Sequence, residues 1–322
     1  MARDLLPMSL GDAFDEAFDL YKENFALFAG IVAVVQVPAQ VATQALGQLL
    51  GVQRLFTLSP GDEVTPSDLS AILGVMAFGF LVMALYSMIY VLEGGALTVA
   101  ISQRYMGQRI SLGEAYRRAR GSMVRLALTW ALAALLLGSI TLVVMWGAMA
   151  VLVIASMGAA AGGTAGGTMA VFVGMAAMVL ATAVAIVAGT GTAAFTTQIV
   201  VVEGVSLGAA VQRNWQLVKP RLPRVMGACV LLLVIVTALQ LSLHGSLEWM
   251  MGVTVYPLLR VPDTARISLS AALGGAIGIV LQPFWLTCLT LLYYDLRVRR
   301  EGLDLSLLET QLAASSPARA TR

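Results

Sequence analysis

The chain has 322 residues, of which 59% are hydrophobic and 12% charged, with a formal net charge of +2. Soluble domains carry about 25% charged residues. There is too little polar surface here to cover a water-facing globule, so lipid is the expected solvent for most of the chain. So small a net charge implies no nucleic-acid partner, and two cysteines, Cys229 and Cys288, each inside an apolar run, are too few for a disulfide framework.

The first 24 residues hold no apolar core of leader length and are interrupted by acids, so membrane entry through the first spanning helix is expected. Within this stretch Ser9 is placed to cap a helix whose first turns are acidic. Leu10, Ala13, Phe14, Ala17, Phe18 and Tyr21 share one face at helical spacing, and Asp12, Asp15, Glu16, Asp19 and Glu23 cover the other. Six apolar runs long enough to cross a bilayer follow, roughly Phe25–Leu50, Leu69–Gln103, Met123–Ser156, Met169–Val202, Val225–Leu243 and Ile267–Tyr294. Runs three and four are divided only by the glycine- and alanine-rich stretch from Gly158 to Thr168, the least defined boundary.

Arginine and lysine then orient the spans. Arg54, Arg260 and Arg266 fall in loops on one side, and the other 17 of the 20 basic residues fall on the opposite side. Basic loops stay cytoplasmic, which places both termini in the cytoplasm, as six spans require. The expected location is the cell inner (plasma) membrane.

A short motif recurs. Ser9-Leu10-Gly11-Asp12-Ala13 returns as Ser111-Leu112-Gly113-Glu114-Ala115 and as Ser206-Leu207-Gly208-Ala209-Ala210, each time before two spans. Gly302-Leu303-Asp304-Leu305 echoes it after span six. The expected fold is all-α: a polytopic helical bundle of three units, 9–103, 111–202 and 206–302, each an amphipathic cytoplasmic helix followed by a helical hairpin. Together 1–302 form one transmembrane domain, and 303–322 a largely disordered cytoplasmic tail. The second and third amphipathic helices carry Arg117, Arg118, Arg120, Arg213 and Lys219. The acidic first helix is expected to pair with them in a cytoplasmic charge collar that also includes Asp295, Arg297 and Arg299. The competing expectation is three separately solvated faces.

Three stretches resemble a known family. They are Ser9 to Phe14 with Leu20 to Phe25; Val200-Val201-Val202-Glu203-Gly204 with Ala210, Arg213, Trp215, Leu217 and Val218; and Leu291-Leu292-Tyr293-Tyr294-Asp295-Leu296-Arg297-Val298-Arg299-Arg300-Glu301-Gly302. The resemblance is to the glycerophosphoryl diester phosphodiesterase membrane domain family and related bacterial and archaeal membrane domains of unknown function. It covers nearly the whole chain. Asn214 and Gln216 stand where that family usually has Ser and Arg. The family's catalytic barrel has no counterpart here, so the resemblance implies a membrane part without the hydrolase activity.

Few residues could carry chemistry. His244 is the only histidine, which excludes His-rich metal sites and Ser-His-Asp triads. Gly162-Gly163 with Gly166-Gly167 has no following lysine and reads as a turn rather than a phosphate loop. No cofactor or metal is expected, and no enzyme activity. Glu93 lies about 15 Å along the helix from Arg104, deep enough that a carboxylate is a functional candidate or a hydrogen-bonded structural acid. Gln36, Gln40, Gln44 and Gln48 repeat every fourth residue around Pro38, and Gln282 precedes Pro283. They could line a hydrated groove or tie helices together. Ala177, Ala181, Ala185 and Gly189, like Gly274 and Gly278, are small-residue packing stripes. Glu203 with Arg213, and Asp295 with Arg297 or Arg299, are expected ion or capping pairs. The functional expectation is a non-enzymatic membrane scaffold or lipid-organising module whose partners are the bilayer and other membrane proteins. The alternative is a permease for lipid or small solutes around Glu93, Gln36, Gln40, Gln44 and Gln282.

Overall fold

A computed structural model describes residues 8–49, 66–128 and 194–302, with a few isolated positions between 131 and 176. Most of the expected third and fourth spans, the Gly158–Thr168 turn, the alanine stripe from Ala177 to Gly189 and the tail after Gly302 lie outside the described residues.

Among the described residues the chain is all helix, without strands. In order the helices are α1 Leu10–Glu23, α2 Phe25–Leu49, α3 Pro66–Tyr105, α4 Leu112–Ala119, α5 Thr196–Val202, α6 Leu207–Val218, α7 Leu222–Met250, α8 Tyr256–Leu259 and α9 Asp263–Glu301. Three stretches of the described residues are long and apolar enough to cross a membrane: α2, the run Leu207–Leu259 containing α6 and α7, and Ala265–Glu301 within α9. At about 1.5 Å per residue the 39-residue α9 is about 58 Å long. That exceeds a 30 Å hydrocarbon core, so part of α9 projects beyond the apolar layer or tilts within it.

The apolar side chains are distributed as lipid solvation requires. Val34, Val41, Val234, Leu241, Trp249 and Leu258 are exposed on α2, α7 and α8, where water would make each costly and hydrocarbon does not. The packed core lies toward the other end. Leu20 and Tyr21 of α1, Phe28 and Ile31 of α2, Leu97 and Ile101 of α3, Phe195 before α5, and Tyr293 and Tyr294 of α9 form one buried cluster. α1 packs lengthwise on α9, and α9 also meets α2, α3 and α7, so α9 is the central strut of the described bundle.

Each short amphipathic helix starts on a serine with extended backbone: Ser9, Ser111 and Ser206. Ser9 and Asp12 form a capping box: the Ser9 hydroxyl accepts from the Asp12 amide at 3.1 Å, and Asp12 accepts from the Ser9 amide at 2.9 Å. Hydrogen bonding by the Ser9 side chain first and by its backbone amide second holds the Asp12 carboxyl below its usual range. Ser111 accepts from the Glu114 amide at 3.4 Å, and Ser206 makes no such bond. Ala13 and Ala17, Ala115 and Ala119, and Ala210 and Asn214 are the buried pairs at matching positions of the three helices. The α9 C-terminus closes on Gly302 in the left-handed region, φ 60°, which glycine adopts without a Cβ penalty.

Caps with different geometry have different worth. Ser9→Ala is expected to lower the thermal unfolding midpoint in detergent, consistent with a loss of about 1 kcal/mol. Ser206→Ala, which removes no cap bond, should leave the midpoint unchanged.

Candidate functional site

Two polar constellations stand out, one inside the apolar layer and one at the basic end of the bundle. The first joins α2, α3 and α9. Glu93 on α3 is completely buried, and Gln282 on α9 donates its amide to Glu93 Oε1. The second carboxylate oxygen, Oε2, has no hydrogen-bond partner among the described residues. Gln36 on α2 is also buried, with its Oε1 unpartnered and its amide beside Gly278.

Farther along α2 the amides turn to α9. Gln40 donates to the Ala271 carbonyl, Gln44 to the Ser268 carbonyl at 2.9 Å, and Gln48 to the Ser268 hydroxyl at 3.3 Å. The period of four on α2 meets an antiparallel helix, so Gln40 and Gln44 reach successive levels of α9 and Gln48 shares Ser268 with Gln44. Gly275 makes the fit possible, because a Cβ there would collide with the Gln40 amide. From the other flank of α9, α7 repeats the arrangement: Gln240 donates to the Gly274 carbonyl at 3.3 Å, and His244 Nε2 meets the Ser270 carbonyl at 3.1 Å. Beside the glutamines, α2 and α9 leave an open groove of about 500 Å³, lined by Gln40, Gln44 and Gln48 and by apolar residues including Val37, Val41 and Leu269. Glu93, Gln36 and Gln282 do not line it.

Tyrosines complete this interior. Tyr21 of α1 donates to the Val280 carbonyl at 2.7 Å. The adjacent Ile279 carbonyl is the one that Pro283 deprives of its helical donor. Tyr116 of α4 donates to the Ile31 carbonyl at 2.6 Å. Its phenol is pushed up from the usual value by burial first and by the nearby Glu93 carboxylate second. Amphipathic helices from two motif copies therefore reach backbone carbonyls of the long apolar helices α9 and α2. The sequence signal was only an aromatic on each apolar face, with nothing to mark the hydroxyl.

The second constellation sits at the end of α9. Asp295 is fully buried and accepts from Arg299 Nε at 2.8 and 3.0 Å, from Arg224 at 3.3 Å and from the Met8 amide at 2.8 Å. Arg224 also donates to the Met8 carbonyl at 2.7 Å, and Arg299 donates there too. On the opposite side of α9, Glu203 accepts from Arg213 at 3.1 Å and from the Tyr293 hydroxyl at 2.8 Å. Glu301 pairs with Arg213 at 2.5 Å and with Arg297 at 3.1 Å. The pairs Arg213–Glu203 and Arg299–Asp295 join residues that the sequence suggested, whereas Arg297 turns to Glu301 and stands 3.9 Å from Glu203.

Two arginines of the expected collar, Arg118 and Arg213, take partners outside α1. Arg118 binds Glu114 within α4 at 2.6 Å and the Gln103 side chain at 3.0 Å, and Arg213 is held by Glu203 and Glu301. Asp15 and Asp19 of α1 and Arg117 of α4 are exposed. The reason is packing: α1 lays Ala13, Ala17, Leu20 and Tyr21 against the bundle, which turns its acidic face outward. The contribution of α1 to the ionic cluster is the backbone of Met8, at its entrance, which sequence pattern cannot mark.

Residues 8–296 match the model of a family described as a domain of unknown function, DUF7847. The chain belongs to this family. The matched family is not the glycerophosphoryl diester phosphodiesterase membrane domain, although a domain of unknown function is compatible with that resemblance. No curated protein matches the chain. No solved structure matches it. The DUF7847 match begins at Met8, whose backbone bonds Asp295, and ends at Leu296, one residue beyond it, so it encloses both constellations except for Arg297, Arg299 and Glu301.

Gln282→Leu strips Glu93 of its donor and is expected to cost about 1–3 kcal/mol of stability, read as a lower thermal midpoint in detergent. Combining it with Glu93→Leu should recover part of that loss, because no buried polar group is then left unpaired.

Proposed function

We propose that this protein is a non-enzymatic, six-span integral membrane module of the cell inner membrane that organises lipid or assembles with other membrane proteins. The observation that carries this reading is that the polar side chains of the apolar helices give their donors to neighbouring helices. Gln40 and Gln44 bind carbonyls of α9, and Glu93 is sealed with Gln282 at zero exposure. Such bonds tie helices together in lipid, where about 0.6 kcal/mol apiece is typical. A translocation path would set the same groups around water.

The three-unit architecture is part of the proposal. Its support is the recurrence of a serine N-cap, buried small residues and a following apolar run at Ser9, Ser111 and Ser206. The motif from Leu291 to Gly302 supports kinship with the membrane part of the glycerophosphoryl diester phosphodiesterase family, without its hydrolase. Seventeen of the twenty basic residues on one side support cytoplasmic termini.

One observation favours the permease reading. The 500 Å³ groove carries three glutamines along one wall.

Two measurements separate these readings. Reporter fusions at both termini should report the cytoplasmic face, and a fusion in the loop around Arg260 the opposite one; termini on opposite faces would refute the six-span module. In cells carrying Glu93→Gln, the assembly module keeps its level and its co-purifying lipids, because Gln282 can still pair with an amide. A permease whose transport uses the carboxylate would lose flux completely with the same substitution, and that loss would decide for transport.

A further inference from the structure

The final turn of α9 sorts its charges by face. Asp295 and Arg299 are four residues apart on one side, and Arg297 and Glu301 are four apart on the opposite side. Both acids are already engaged. Asp295 lies buried between Arg224 and Arg299, and Glu301 between Arg213 and Arg297. Arg221, just before α7, and Arg300 have no carboxylate partner among the described residues. These two and Arg299 surround a recess of about 210 Å³ whose other walls are Leu217, Pro220 and Leu296. Among the described residues no acid lines it, and Asp295, which Arg299 holds, is fully buried.

The recess also has a defined depth. The apolar run of α7 begins near Val225, four residues beyond Arg221, and that of α9 ends near Tyr294, five to six residues before Arg299 and Arg300. At about 1.5 Å per residue these arginines leave the helix about 6–9 Å beyond the apolar runs, at the outer part of the headgroup layer, about 5–8 Å thick on each side. The neighbouring α6 exposes Val211 and Trp215, side chains suited to the interface.

We propose that this recess binds the phosphate of an anionic phospholipid headgroup from the cytoplasmic leaflet. Guanidinium forks match phosphate oxygens in pairs, and basic pockets between helices on the cytoplasmic side favour such headgroups. Leu217, Pro220 and Leu296 give the glycerol and first methylenes an apolar wall. The inference rests on the membrane placement proposed above, but is independent of the choice between module and permease.

Native mass spectrometry of the full chain in detergent tests it, after equilibration with equal phosphatidylglycerol and phosphatidylcholine. The unaltered chain is expected to retain phosphatidylglycerol preferentially. Arg221→Gln with Arg300→Gln should weaken that retention about tenfold or more. Arg117→Gln with Arg120→Gln, which removes two exposed arginines elsewhere on the same side, should leave it unchanged. Arg221→Lys with Arg300→Lys keeps the charge and loses the fork, and should fall between. Equal retention by the recess variant and the unaltered chain overturns the proposal, as does equal loss in both glutamine variants. Binding of inorganic phosphate without lipid selectivity would assign the recess to a soluble phosphoester and overturn the lipid assignment. Partition of the unaltered chain into the aqueous phase refutes the membrane placement itself; a membrane-inserted chain without phosphatidylglycerol preference refutes only the recess.

Discussion

A buried amide or carboxylate in an apolar layer has no water to fall back on, and this constraint organises the described bundle. The cost of an unpaired polar group is several kcal/mol in hydrocarbon. Gln40 and Gln44 therefore reach the carbonyls of α9, Gln282 reaches Glu93, and the hydroxyls of Tyr21 and Tyr116 reach backbone carbonyls on α9 and α2. α9 can take the amides of α2 and α7 because it carries Ser268, Ser270, Gly274, Gly275 and Gly278 where those amides and the His244 ring approach. Side-chain size on one helix thereby decides which neighbours can dock, and polar groups on the neighbours fix their register.

The basic end obeys a different rule. There the layer is polar enough to keep charges, and α9 uses its four-residue period to hold one ion cluster on each side. Asp295 draws in Arg224, Arg299 and the Met8 backbone, so it fastens the entrance of α1 to the base of α7 and the end of α9. Glu203 and Glu301 fasten α6 to the end of α5 and to α9 through Arg213 and Arg297. Breaking either cluster would leave a charge that is half-buried or fully buried, which costs more than the pair itself contributes. Beyond these clusters, Arg221 and Arg300 line a recess together with Arg299.

Much of the helix pattern was legible in the residue order. The face of Ala13, Ala17, Leu20 and Tyr21, the serine cap at position 9, and the long apolar runs of α2 and α9 follow from periodicity and propensity, which act over a few residues. The pairs Arg213–Glu203 and Arg299–Asp295 were legible because each joins residues close in sequence. Arg224 on Asp295, Tyr116 on Ile31 and Tyr21 on Val280 were not, since each spans 71 to 259 residues. The partners of Arg118 and Arg213 were hidden for a related reason: complementary charge says that two helices could pair, and packing of the apolar face decides where α1 lies.

By itself the sequence determined that the chain is helical and that it carries apolar stretches long enough to cross a membrane. Composition and local period settle those properties, because hydrophobic transfer and backbone hydrogen bonding are summed residue by residue. Only the tertiary structure decided that Glu93 faces Gln282, that the glutamines of α2 spend their donors on α9, and that Arg221 gathers beside Arg299 and Arg300. Those outcomes depend on which helix faces share a contact, and that choice is made by the packing of side chains far apart in the chain.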